Sequence, residues 1–206
     1  MSTLMCAATL VVARHGDATY VEAEFSDEGG SLTTEGRGQA RALAEALAGR
    51  RVAHVWCSDV SRSVQTAEIA AARWGVAVTA RKSLREVDIG DLRGQPFSLD
   101  ALDAVTSRWF DGDLAARFPG GESGAEVVDR IGAAFGEIAD LHRGETVLVV
   151  AHQTAVCIAL PVLARNLSPV YAEHHQLDNG ASAELEIDDD WVVTRWGDVL
   201  VPVVEQ

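Results

Sequence analysis

The chain predicts a three-layer α/β/α sandwich around a mostly parallel central sheet. Strand-like and helix-like stretches alternate along its 206 residues, the pattern of strands joined by crossover helices. The run Thr146–Ala151 is almost wholly apolar, as a central strand covered on both faces should be. Polar, glycine-containing segments follow the strand-like runs, and open α/β sheets gather ligands outside the C-terminal ends of their strands.

The elements follow in order. Leu4 to Ala13 reads as a buried strand, with Arg14-His15-Gly16 as the loop at its C-terminal end. A polar loop from Asp17 to Ser31 comes next. Thr33 or Thr34 caps a helix running to about Gly49, because a threonine oxygen can accept from the first free N–H groups. Val52 to Cys57 is a second buried strand, and Ser61 caps a helix ending by Gly75. Val76 to Thr79 is a short strand. Gly90, Gly94 and Pro96 break the segment after it, and Leu99 to Phe110 is helical. Phe118-Pro119-Gly120-Gly121 breaks the chain again, and Ser123 with Glu126 makes a capping box for a long helix. Val127, Ile131, Phe135 and Ile138 lie along one face of that helix, and Gly144 ends it. After Thr146–Ala151 comes a helix from about Thr154 to Arg165. Ala183–Ile187 and Trp191–Trp196 close the chain as a hairpin around Asp188-Asp189-Asp190. The expectation is a single domain over residues 1–206, with a small cap inserted at about 88–123.

Composition narrows the function. With 48% hydrophobic and 23% charged residues, the chain is an ordinary globular protein. A net charge of −14 argues against nucleic acid and anionic membranes as partners, but not against a small anion in a local basic site. No run reaches the length of a membrane helix. Cys6, Cys57 and Cys157 show neither disulfide nor zinc spacing. They read as buried thiols in a reducing, cytoplasmic compartment. Edge strands could support a homodimer, though nothing specifies one.

The chemistry gathers at strand ends. Val12-Ala13-Arg14-His15-Gly16 and Val149-Val150-Ala151-His152-Gln153 both end in histidine, and Ser58-Asp59-Val60-Ser61-Arg62 ends a third strand. If the three strands are parallel neighbours, His15, His152, Arg14 and Arg62 converge. Such a group repels itself unless an anion sits within it.

These residues carry a resemblance to the histidine phosphatase superfamily, the phosphoglycerate mutase-like fold. Its Arg-His-Gly matches Arg14-His15-Gly16, and its Leu-Thr-x-x-Gly helix start resembles Leu32-Thr33-Thr34-Glu35-Gly36. Its Ser- and Arg-bearing loop matches Ser58 to Ala67. Glu86, Gly90 and Gly94 match its glutamate loop, Pro119 to Ser123 match a further element, and His152 is the second histidine. The matches run in family order over about residues 8–155.

The resemblance implies that His15 attacks phosphorus and becomes a phosphohistidine, while Arg14, Arg62 and His152 neutralise the phosphoryl oxygens. It implies Glu86 as general acid and base, no metal and no cofactor. Substrate contacts would come from Arg14, Arg62, His152, Gln153 and Thr19, and the partner would be a small phosphorylated metabolite. The chain departs from the mutases at Ala18 and Val21, where they carry a hydroxyl residue and asparagine. Gln153 replaces a common glycine, and Glu86-Val87-Asp88-Ile89-Gly90 lacks the mutases' extra basic residues. Hydrolysis of phosphomonoesters is therefore favoured. Mutase-type phosphotransfer, phosphohistidine-protein phosphatase activity and non-catalytic phosphate binding stay open.

Overall fold

The computed structural model describes residues 6–20, 24–26 and 30–203. The expected strand start at Leu4 and Met5, and the departure at Val21, lie outside these residues. Seven strands form one sheet in the order β3-β2-β4-β1-β5-β6-β7. They are β1 Ala8–Arg14, β2 Val52–Cys57, β3 Val78–Ala80, β4 Thr146–Ala151, β5 Ser182–Ile187, β6 Trp191–Trp196 and β7 Val199–Leu200. β3, β2, β4 and β1 pair in parallel, whereas β5, β6 and β7 add on antiparallel. The sheet is therefore mixed, with a parallel half that holds the strand-end histidines. β7 has no counterpart in the sequence reading, because two exposed residues after Gly197 give no periodic signal.

Five α-helices cover the sheet: α1 Thr34–Ala46, α2 Ser61–Ala71, α3 Leu99–Phe110, α4 Gly124–Leu141 and α5 Gln153–Leu163. Side chains alternate across a strand, and that alternation builds two cores. Val11, Ala13, Leu148 and Val150 face Leu43, Ala44 and Leu47 of α1 and Ala67, Ala70 and Ala71 of α2. Leu10, Val12, Val147 and Val149 face Val127, Ile131 and Phe135 of α4 and Val156 and Leu160 of α5. This is the expected three-layer sandwich. α5 is apolar nearly all round and buried from Ala155 to Pro161, as a fully covered helix should be.

Local caps explain the helix starts. The Thr33 hydroxyl accepts from the Gly36 N–H, and Ser123 with Glu126 forms the expected capping box. Ser61 is not a cap: Val60 precedes the helix, and the Ser61 hydroxyl accepts from Gln65 instead. β3 begins at Val78, two residues later than expected, because Ala72 to Gly75 form a turn below α2. Cys57 and Cys157 are buried, and burial pushes their thiols up to about 12 and about 11. Cys6, expected inside, is exposed just ahead of β1.

Residues 88–123 carry α3 and turn back into α4. Trp109 and Phe118 pack edge to face at 5.4 Å within the core, and the Trp109 indole donates to the Ala116 carbonyl. Both are core residues. No helix among the described residues is long and apolar enough to cross a membrane.

Candidate active site

All four parallel strands end at one edge of the sheet, and antiparallel β5 begins there. The segments after β1, β2, β3 and β4 and the segment before β5 therefore meet.

β1 delivers Arg14 and His15. The His15 N–H donates to the Ala151 carbonyl at 3.1 Å, extending the β1–β4 pairing. The Asn179 amide donates to the His15 carbonyl at 3.0 Å, and the Gly180 N–H donates to the Arg14 carbonyl at 3.1 Å. Gly16 is needed for close approach, since a Cβ there would lie 2.5 Å from the Gly36 carbonyl oxygen. Its N–H donates to the Thr66 hydroxyl at 3.0 Å, and that hydroxyl donates to the Arg62 carbonyl at 2.7 Å. Thr66 thus ties the loop that carries His15 to the helix that carries Arg62.

The hydrogen bonds assign the ring protons. His15 Nδ1 lies 2.8 Å from the Gly16 carbonyl, which can only accept, so Nδ1 carries the proton. His15 Nε2 accepts from Arg62 Nε at 3.1 Å. Arg62 Nη2 lies 3.3 Å from His152 Nδ1, and a guanidinium can only donate, so that nitrogen is bare. His152 Nε2–H then donates to the Ser58 hydroxyl at 2.7 Å. The two imidazoles stand edge to face, 5.1 Å apart.

Electrostatics keep both rings neutral. Burial lowers His15 to about 4, helped by the Arg62 and Arg14 charges and opposed by the Gly16 carbonyl and Asp17. His152 is held well below the usual imidazole range by burial, then by Arg62, His15, Arg130 and Arg14. Arg62 is itself only 4% exposed. Arg14 Nη1 donates to the Leu177 carbonyl at 3.0 Å, while its Nε is buried with no partner. A buried donor without a partner is costly, and an anion beside His15 would satisfy it.

Glu86 sits at the start of α5. Its carboxylate accepts from the Thr154 N–H at 3.0 Å, the Ala155 N–H at 2.8 Å and the Val87 N–H at 3.0 Å. A carboxylate suits a helix N-terminus, and this contact places Glu86 beside His152, the residue capping α5. Gln153 donates to Gln176 at 2.6 Å. Thr19 stands apart: it is exposed, and its N–H and hydroxyl both donate to the Ser31 carbonyl. The structure thus brings together Arg14, His15, Arg62 and His152, sets Glu86 and Gln153 alongside, and leaves Thr19 bracing a loop. Among the described residues no three His, Cys, Asp or Glu side chains cluster in a way that could hold a metal ion.

Four neighbours lay outside the sequence reading of the site. Ser58 and Thr66 fall inside the matched motif, so the sequence held a signal for them. Asn179 read only as a turn before the closing strands. Tyr20 gave no signal, yet its ring lies 5.5 Å from the Arg62 guanidinium carbon. Arg117 is an exposed ion-pair partner of Glu126. His175 stacks on Tyr171, remote from the His15 pair in its contacts.

Comparison with known proteins gives the same family from sequence and from structure. The chain is 32% identical over 201 residues to "Probable phosphoglycerate mutase GpmB" of Salmonella choleraesuis, covering 90% of this chain and 91% of that one. It is 31% identical over 205 residues to phosphoglycerate mutase-like protein 4 of Arabidopsis thaliana, covering 93% and 86%. A mycobacterial glucosyl-3-phosphoglycerate phosphatase superposes with a TM-score of 0.77 at 25% identity, covering 93% of this chain and 99% of that one. The same phosphatase in complex with VO3 superposes with a TM-score of 0.74 at 26% identity, covering 92% and 98%. The model for the histidine phosphatase superfamily (branch 1) matches residues 10–199, and the chain belongs to that family.

Proposed function

We propose that this protein hydrolyses small phosphomonoesters through a phosphohistidine on His15, without a metal. The observation that carries this reading is the state of His15. Its Nδ1 proton is held by the Gly16 carbonyl, so its bare Nε2 is the nucleophile. With a pKa lowered to about 4, that nitrogen is unprotonated at neutral pH.

In the first step the Nε2–P bond forms as the P–O ester bond breaks. Arg14 and Arg62 flank the transferring group and stabilise its oxygens, and His152 holds the Arg62 guanidinium in place through its Nδ1. Glu86, in its carboxylic acid form, gives a proton to the departing alcohol oxygen and becomes the carboxylate that the α5 N–H groups hold. In the second step Glu86 takes a proton from water, water attacks phosphorus, and the P–N bond breaks to release phosphate and His15. Gln153 contacts the departing alcohol. The whole chain acts as one domain, and residues 88–123 cap the site. Support for the cap comes from backbone pairing of Phe25 with Gly94 and Gln95, which joins that segment to the loop after His15. The names of the two sequence relatives favour a second reading, transfer of the phosphoryl group to another alcohol rather than to water.

The test is phosphate release from p-nitrophenyl phosphate and a panel of phosphorylated metabolites, with EDTA present. Wild type is expected to turn over and His15→Ala to lose at least about 10³-fold. Release that persists in a folded His15→Ala protein overturns the phosphohistidine route. Transfer to an added alcohol in place of water would favour the second reading.

A further inference from the structure

We infer that the substrate is a phosphomonoester whose alcohol part carries hydroxyl groups and no second negative charge. The inference rests on the proposed phosphatase reading and specifies its substrate class.

Two arginines serve the centre, Arg14 and Arg62, and both are engaged by the His15 environment. Together they match the charge of one phosphate dianion. A second anionic group on the substrate would need further cations on the connections that leave the same sheet edge. Those connections are acidic. Between His15 and Gly36 the described acidic residues are Asp17, Glu24 and Glu35, and the sequence holds no lysine or arginine there. The segment 88–123 holds seven Asp and Glu residues against Arg93, Arg108 and Arg117. Each of those arginines is already paired with a carboxylate: Arg93 with Asp88, Arg108 with Asp113 and Arg117 with Glu126. Arg85, the residue before Glu86, makes two bonds to Asp59, the residue after Ser58. These two segments also join each other, since Phe25 N–H donates to Gln95 and Gly94 N–H donates to Phe25, both at 2.9 Å.

Apart from Glu86 and Asp17, the groups named beside the phosphate centre are polar and neutral. Gln153 follows His152 directly and bonds Gln176, and the exposed Tyr20 lies over Arg62. Amide and phenol groups donate to and accept from hydroxyls, and they bring no counter-charge to a carboxylate. A neutral polyol fits this surround, and a carboxylate meets uncompensated negative charge.

Glycerol 3-phosphate and 3-phosphoglycerate make the test, because they differ in a hydroxymethyl group against a carboxylate. Each is measured as a competitive inhibitor of p-nitrophenyl phosphate hydrolysis, at low and high NaCl. Glycerol 3-phosphate is expected to bind about tenfold tighter at low salt, with the gap narrowing as salt screens the acidic segments. Gln153→Arg is expected to shrink the ratio further, whatever it does to each constant. Equal or tighter binding of 3-phosphoglycerate overturns the inference and leaves the phosphatase reading standing. If p-nitrophenyl phosphate is not hydrolysed, the phosphatase reading fails by itself, and calorimetric titration of the two esters into wild type reads the same ratio.

Discussion

Among the described residues two pairs of histidine rings lie close together, and the contrast between them bears on why one is proposed as reactive and the other as structural. His15 and His152 stand 5.1 Å apart at the C-terminal edge of the parallel strands. His54 and His142 stack 5.6 Å apart where β2 meets the end of α4. In the first pair the shared partner is a buried guanidinium, which donates to a ring nitrogen of each. In the second pair His142 accepts the Trp56 indole N–H and contacts the Glu145 carboxylate, while His54 bonds the Thr79 hydroxyl. The second set has a carboxylate, Glu145, where the first has a guanidinium. Arg62 gives the first set an excess of positive charge and burial, which leaves a bare nitrogen on a neutral ring. Spacing alone does not distinguish the two pairs. The sign of the charge around them does.

The largest expected effect tests that contrast directly. His152→Gln removes the ring that holds Arg62 Nη2 and is expected to lower kcat by about 10²-fold, the scale for weakening one group, here Arg62, that stabilises a transferring oxyanion. His142→Gln is expected to leave kcat/KM within about twofold, because surface-side hydrogen bonds act on stability rather than on chemistry. Steady-state kinetics on p-nitrophenyl phosphate read both. A matching loss in the two variants would erase the distinction.

The fold was legible where the chain is periodic or capped. β4 and α4 announced themselves through an unbroken apolar run and a capping box, and both stand where expected. The start of β3 and the two-residue β7 were not legible, because exposed residues at a sheet margin carry little packing signal. The strand-end histidines and Arg62 were readable from residue type and position. What escaped was the support around them. Asn179 comes from 164 positions away to hold the His15 carbonyl, and a turn motif gives no hint of that reach. Thr19 failed in the opposite way. Its hydroxyl looked available from sequence, but the nearby Ser31 carbonyl takes it.

A smaller effect sharpens the role of Glu86. Its carboxylate is fixed by three backbone N–H groups, two on Oε1 and one on Oε2, so Glu86→Gln removes the acid and also turns an amide NH2 against the Thr154 N–H, a loss that falls equally on every substrate. If Glu86 protonates the leaving oxygen, a poor leaving group should suffer most. Turnover of an alkyl phosphate is expected to fall about 10²-fold, and that of p-nitrophenyl phosphate by much less. Equal loss on both would count against an acid role and point to helix-end support alone, which the melting temperature of the variant would register.

The smallest effect is on stability, and its sign follows from burial. An unfolded histidine titrates near 6.5, whereas His15 in the fold is lowered to about 4. Between these values the unfolded chain binds a proton that the folded chain refuses, so stability is complete above about pH 6.5 and falls as pH drops towards 4. From pH 7 to pH 5 the cost from His15 is about 2 kcal/mol by linkage. His152 shifts in the same direction and adds to the loss. Urea unfolding midpoints at the two pH values measure the sum. His15→Gln removes one titrating group without removing the ring of His152, so its midpoint should move less between pH 7 and pH 5 than that of wild type. An unchanged pH response in that variant would mean that His15 is not the neutral, buried imidazole on which the nucleophile depends. The charge contrast between the two histidine pairs would then fall with it.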